Sequence, residues 1–398
     1  MKTKKRSLVL GAALAIILLG LQTAGTQAQK GVDYEAIAQK MVNQCTAVKE
    51  GDLVLVYGRA RDLELLENIV VNVRKVGAFP FLAIGSDRMT RREYTEVPAK
   101  YDTQTPEFEL KLAGMVGAII SVEYSENEGL LSDIPAQRLA AADQAYAPVN
   151  DLLNKRSVRR VSLGNALYPT DELAKRFGLP KEELSRIFWE GVNVDYAKLQ
   201  EACESVKAVL AGGKDVHITN PNGTDLKVRI EGRPAFVSDG VISADDQKKG
   251  GAACIVYLPA GEAYITPVPA TAEGKVVIDR SFYAGKEIEG LTMIFKAGKL
   301  VSMTAKSGLE GLKALYDASG AGKEDFAFID IGLNPNVRAI PGSRLTNYVC
   351  NGMVTLGIGN NVWAGGTNAV SFSYDGFLPG STLTIDGKTI VENGSLKH

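Results

Sequence analysis

Four short apolar runs separated by amphipathic stretches limit what the first half of this chain can become. They are Leu53–Tyr57 (LVLVY), Phe79–Ile84 (FPFLAI), Gly117–Val122 (GAIISV) and Val158–Leu163 (VRRVSL). Runs of this length, rich in Val, Ile and Leu and alternating with helical patterns, predict strands of a mainly parallel sheet covered by helices. Leu63, Leu65, Leu66, Ile69, Val70 and Val73 recur at helical spacing between the first two runs, and residues 135–154 supply a second covering helix. No G-x-G-x-x-G follows Tyr57, so the first strand does not open a dinucleotide site.

From Pro169 to about Ala211 the pattern is helical, with Thr170 as a cap, Pro180 in the first turn of the next helix and Tyr196–Leu210 as a third, ended by Gly212-Gly213. Strands then dominate: Val216–Thr219, Leu226–Ile230, Cys254–Tyr257, Lys275–Asp279 and a hairpin over Leu291–Ala305. The expected fold is α/β, an N-terminal α/β domain over 29–200 followed by a strand-rich mixed α+β domain over 201–398. A length of 398 residues suits two such units.

Lys2, Lys4, Lys5 and Arg6 precede an unbroken apolar run, Leu8–Leu21, which ends in small and polar residues around Thr26-Gln27-Ala28. This pattern predicts a signal peptide over 1–28 and an exported protein, periplasmic or extracellular. The run has 14 residues, short of the roughly 20 that span a bilayer, which makes an uncleaved anchor the weaker reading and leaves no membrane span after cleavage. Without the leader, 41 Lys and Arg face 46 Asp and Glu, and this mild acidity gives no electrostatic case for nucleic acid. Cys45, Cys203, Cys254 and Cys350 are widely spaced, with no C-x-x-C pair, and are expected as buried free thiols.

Seven stretches, in order, carry a family resemblance: YPTDELAKRFGLPKEELSRIFWEGVNVDY (168–196), NPNGTDLKVRI (220–230), LPAGEAYITPV (258–268), IGLNPNVR (331–338), GMVTLGIGNN (352–361), GGTNAVSFSYDG (365–376) and LTIDGKTIVENG (383–394). Together they resemble the aminopeptidase T and aminopeptidase S family of metallo-aminopeptidases. The resemblance implies a two-domain fold, a homodimer, and a C-terminal site where two divalent metal ions activate water to release an N-terminal amino acid.

Matched residue by residue, the resemblance keeps Glu262 and Asp375 as metal-ligand positions. It puts Phe328 where the family has a second glutamate, and Thr355 and Ser373 where it has histidines. The whole chain holds only His217 and His398. Catalytic zinc takes at least three strong ligands, imidazole prominent among them, so two carboxylates make a poor zinc site. With hydroxyls from Thr355, Ser373 or Tyr374 they suit a hard ion such as calcium or magnesium. With no ion, the facing carboxylates repel, and one is protonated or met by an arginine, Arg280, Arg338 or Arg344 being available.

Other catalytic schemes meet the same shortage. A Ser-His-Asp or Cys-His arrangement must recruit His217, and no G-x-S-x-G elbow is present. A mononuclear-iron dioxygenase of the kind known on a related scaffold needs the same absent histidines. The favoured expectation is a binding protein holding a peptide or other small ligand in the C-terminal cleft, its metal centre lost or rebuilt. The alternative is an active aminopeptidase with a reduced or oxygen-only metal site at Glu262 and Asp375.

Overall fold

The apolar runs of the first half align side by side. In the computed structural model, which describes residues 31–122, 125–127, 129–283 and 285–397, β1 (Leu53–Arg59), β2 (Phe79–Gly85), β3 (Ala118–Val122) and β4 (Arg159–Leu163) are parallel and lie in the order β2-β1-β3-β4. The expected leader over 1–28 and His398 lie outside the described residues. A fifth parallel strand, β8 (Ile255–Leu258), pairs with β4. It comes from beyond residue 200, so the sheet is completed by a strand that the sequence reading grouped with the C-terminal half.

Helix Leu63–Lys75 lays its expected stripe on β1 and β2, with Leu65, Leu66, Ile69 and Val73 buried. Elsewhere on the sheet, Leu55 and Ile119 pack into a cluster with Ala113, Val116, Val149, Leu153 and Val158, drawn from the helices Glu107–Met115 and Ala136–Lys155 and the sequence around them. Thr170 accepts a hydrogen bond from the Leu173 amide (3.1 Å) as a helix cap, and the four cysteines are buried and free. Among the described residues no helix is long and apolar enough to cross a membrane.

The remaining strands form two antiparallel sheets. The larger runs β12 (Lys299–Thr304), β11 (Lys286–Lys296), β10 (Glu273–Tyr283), β6 (Thr224–Arg229), β5 (Asp215–Asn220), β16 (Thr382–Ile385), β17 (Lys388–Glu392) and β18 (Ser395–Leu396). Its β11–β12 hairpin turns through Ala297 and Gly298, both at positive φ (48° and 75°), the backbone of a two-residue hairpin turn. The smaller sheet runs β15 (Ser373–Leu378), β14 (Val354–Gly359), β13 (Phe326–Gly332), β9 (Glu262–Ile265) and β7 (Ala235–Ser238).

Side chains alternate across a strand, so register divides the smaller sheet into two faces. Gly376, paired with Leu356, lies against Ile278 of the larger sheet. The other face therefore carries Phe236, Ser238, Glu262, Tyr264, Phe328, Asp330, Thr355, Gly357, Ser373 and Asp375.

The segment that fixes β13 to its surroundings is the IGLNPN turn. Asn334 is fully buried; its Nδ2 donates to Ala260 O (2.6 Å) and Gly191 O (3.0 Å), and its Oδ1 accepts from the Asn336 amide (3.0 Å). Gly261, at φ +122°, passes so close that a Cβ would lie 2.8 Å from the Asn334 nitrogen, a position only glycine fills. Asn334→Ala strands two buried carbonyls and one amide, and is expected to cost about 2–4 kcal/mol. The shift of the denaturant midpoint measures this cost, and a change under about 0.5 kcal/mol would show that the clasp is dispensable.

Candidate functional site

The two carboxylates singled out from sequence stand on one face of one sheet, and the structure adds a third. Across β7, β9 and β13, Ser238 pairs with Glu262 and Glu262 with Gly332. One step along, Phe236 pairs with Tyr264 and Tyr264 with Asp330, which in turn faces Thr355 on β14. One further step brings Phe328 opposite Gly357 and Gly357 opposite Asp375.

Asp330 is the residue that motif alignment missed. Counting back from the glycine and asparagine of IGLNP stops at Phe328, but the two-residue period of a strand puts Asp330 on the same face. It is 1% exposed, and both of its oxygens lack a hydrogen-bond partner. The Ile331 amide and the Thr355 hydroxyl draw its pKa down, against the stronger push of burial and of the Glu262 charge. Thr355 Oγ1 and Asp375 Oδ1 are buried and unpartnered as well. Asp375 Oδ2 accepts from the Tyr348 hydroxyl (2.5 Å), and the Tyr348 ring meets Phe377 edge-on at 5.0 Å.

The other expected residues fall in different places. Phe328 is fully buried, its ring over Gly357 and 4.9 Å from the Trp363 ring. Ser373 is exposed at the start of β15. Tyr374, offered above as a ligand hydroxyl, turns to the opposite face and donates to Ser281 Oγ (2.6 Å). His217 lies on β5 in the larger sheet, 2.8 Å from Asp225. Among the described residues no arginine pairs with these carboxylates: Arg280 and Arg344 pair with Glu287 (3.4 and 3.5 Å), and Arg338 donates to Pro335 O.

Acid groups brought together without a base hold their protons. Burial, and then the Asp375 charge, push the Glu262 carboxyl up to about 7 against a pull from the Ser238 hydroxyl. Burial and the Glu262 charge push Asp330 well above the carboxylate range. Asp375 rises through burial, opposed by Tyr348. All three shifts run toward the neutral acid.

Beside the acids stands an aromatic wall. Phe236 and Tyr264 stack at 5.9 Å, and Trp363, from the loop after β14, tilts onto Tyr264 at 5.1 Å while remaining 50% exposed. Sequence gave no sign of Trp363 or Tyr348 at the site, because both sit in loops without periodicity.

The architecture is that of a mixed α/β protein with a parallel N-terminal sheet and a strand-rich C-terminal region bearing an acidic site. Residues 32–323 match the family model described as thermophilic metalloprotease (M29), and the chain belongs to that family. Aminopeptidase AmpS of Bacillus subtilis (strain 168) is 24% identical over 330 residues, covering 74% of this chain and 73% of that protein. Wild-type AmpT from Thermus thermophilus superposes with a TM-score of 0.67 at 18% identity, over 92% of this chain and 99% of that one. The 2,5-dihydroxypyridine dioxygenase of Pseudomonas putida KT2440 shares the fold at TM-score 0.58 and 12% identity, over 92% and 96% of the two chains.

The family resemblance implies two divalent metal ions, and the residues present do not suit them. Among the described residues the face offers carboxyls and hydroxyls without an imidazole, and no three His, Cys, Asp or Glu side chains converge tightly enough to grip an ion.

The raised Glu262 pKa makes a signed prediction. The usual value of 4.5 is raised to about 7 by folding, so this group's stabilising contribution is full below pH 4.5 and is lost as pH rises through 7. Glu262→Gln stays neutral throughout and should be more stable than wild type at pH 8, by about 1–3 kcal/mol, with the gap closing toward pH 4.5. Urea unfolding at both pH values checks this; an equal gap at the two would contradict it.

Proposed function

We propose that this chain is an exported member of the family that keeps the aminopeptidase fold, has lost the two-metal hydrolytic centre, and holds a peptide or other small ligand without turnover. One observation carries the reading: along the face that bears Glu262 and Asp375, the remaining family ligand positions hold a fully buried hydrocarbon ring, Phe328, and two hydroxyls, Thr355 and Ser373. A metal-activated water needs a strong Lewis acid held firmly to bring its pKa near about 7, and these side chains supply neither charge nor imidazole. The extent of the family match fits this reading, since it includes Glu262 and ends at residue 323, ahead of β13, β14 and β15.

The competing reading is an active aminopeptidase with an oxygen-only metal site on Glu262 and Asp375, and it draws on the unpartnered oxygens of Asp330, Thr355 and Asp375. Millimolar calcium or magnesium separates the two. An ion bound to the folded chain alone adds about 2.7 kcal/mol at a hundredfold excess over its Kd, whereas the binding-protein reading expects an unchanged melting temperature.

Hydrolysis tests the proposal directly. Aminoacyl reporter substrates should turn over no faster with the protein than without it, with or without added zinc or cobalt, and the purified protein should carry no stoichiometric transition metal. Turnover that a chelator abolishes and zinc restores would overturn the reading.

Export rests on the basic Lys2–Arg6 stretch and the apolar Leu8–Leu21 run. The mature protein should begin at Gln29 on N-terminal sequencing. An intact Met1 on protein extracted from membrane would mean an anchor instead.

A further inference from the structure

Independently of the acid-bearing face, we propose that residues 87–102 form a flap over the carboxyl end of the parallel sheet, held shut by three arginine–carboxylate clamps. Its opening rises with ionic strength and uncovers Arg59.

The flap is marked by what it does not bury. From Ser86 to Thr105 no residue is buried, and the ten-residue helix Asp87–Glu96 leaves Met89 47% exposed. A segment without buried apolar side chains belongs to the least stable part of a fold. The helix Leu63–Lys75, with Leu65, Leu66, Ile69 and Val73 buried, stands at the other extreme.

Charge supplies the hold instead. At the start of the segment Asp87 meets Arg59, the last residue of β1 (2.8 Å), and its Oδ2 accepts from the Ser125 hydroxyl and the Glu126 amide (both 2.9 Å), just beyond β3. In the middle Arg91 pairs through two nitrogens with Asp133 and donates to Leu130 O (2.9 Å). At the end Arg138, from the helix Ala136–Lys155, donates to both oxygens of Asp102 (2.6 and 2.8 Å) and to the carbonyls of Tyr94 and Val97. One guanidinium thus gathers the helix and the turn that follows it.

The place it covers follows from topology. The chain leaves β1 for β2 on one side and returns to β3 on the other, so the crevice where open α/β sheets take ligands lies between the carboxyl ends of β1 and β3. Asp87 spans it, touching Arg59 on one side and Ser125 and Glu126 on the other, and the Arg59 Nε and Nη1 atoms are buried beneath. Salt weakens this cover, since the Debye length falls from about 10 Å at 0.1 M to about 3 Å at 1 M, and the Arg91–Asp133 clamp stands open to it with side chains 33% and 64% exposed. A ten-residue helix released from its partners is too short to persist alone in water. Lifting and unwinding are therefore one event.

Hydrogen exchange of the purified full chain at pH 7.5, in 0.1 M and in 1 M sodium chloride, tests the flap. Exchange over 87–102 should rise about tenfold or more in high salt, a change of about 1.4 kcal/mol shared by three clamps, with the helix and the Ala99–Tyr101 turn rising together. The helix Leu63–Lys75 should change less than about twofold. Arg138→Gln should produce the same rise already at 0.1 M salt, and Arg91→Gln a smaller one, with the melting temperature near that of wild type. Phenylglyoxal should modify Arg59 about fivefold faster or more in 1 M salt. Exchange over 87–102 that ignores salt and both substitutions, an equal rise in Leu63–Lys75, or an Arg59 whose reaction does not follow the helix would overturn the proposal.

Discussion

The smaller antiparallel sheet depends on the clasp that Asn334 makes between three chain segments. Its amide nitrogen holds the carbonyls of Gly191, at the end of a helix, and Ala260, two residues before Glu262, while its oxygen closes its own turn. The Leu333 amide adds a bond to Gly261 O (2.7 Å), and the Asn336 side chain donates to Glu190 O (2.8 Å). The start of β9 and the end of β13 are thereby fixed to the same helix terminus. Glu262 and Asp330, which lie on those two strands, inherit their relative position from it. A buried network with every member satisfied is rigid, and this one sits directly beside a group of acids that is only partly satisfied.

That contrast explains how the site tolerates its charges. Three carboxyls on one polar face with no base cannot all ionise, and burial drives the protons on rather than the chain apart. Tyr348 offers Asp375 a donor, Glu262 has the Ser238 hydroxyl opposite it on β7, and Asp330, the most deeply buried of the three, has only the Ile331 amide and the Thr355 hydroxyl to draw its pKa down. Burial outweighs both and pushes Asp330 toward its protonated form. Phe328 contributes in another way, since its ring fills the space over Gly357 and backs Trp363, turning a position expected to carry charge into a support for the aromatic wall.

Much of the fold was legible because period and length speak for themselves. The LVLVY, FPFLAI, GAIISV and VRRVSL runs became parallel strands within a residue or two of their expected ends. The Thr170 cap and the β11–β12 hairpin followed from local chemistry. What sequence could not supply was partnership. The IVYL run reads as a buried strand, yet nothing in it says that its neighbour is β4, about ninety residues earlier. The site was legible in the same partial way. Glu262 and Asp375 came through the family motifs, and Asp330 was available to the two-residue period but hidden by an alignment anchored on Gly332 and Asn334. Tyr348 and Trp363 arrive by tertiary folding of irregular loops, which leave no pattern to read.

The passage from β8 to β9 takes only three residues, Pro259 to Gly261. The strand that finishes the parallel sheet is therefore almost continuous with the strand that carries Glu262, and the first sheet is built from two distant stretches of chain. During synthesis β4 must wait, with one edge bare, until the ribosome has made about ninety further residues. An exposed edge strand is a template for unwanted pairing, so the period between the emergence of β4 and that of β8 is when the nascent chain is most open to aggregation, and a fragment ending near residue 200 would keep that edge permanently.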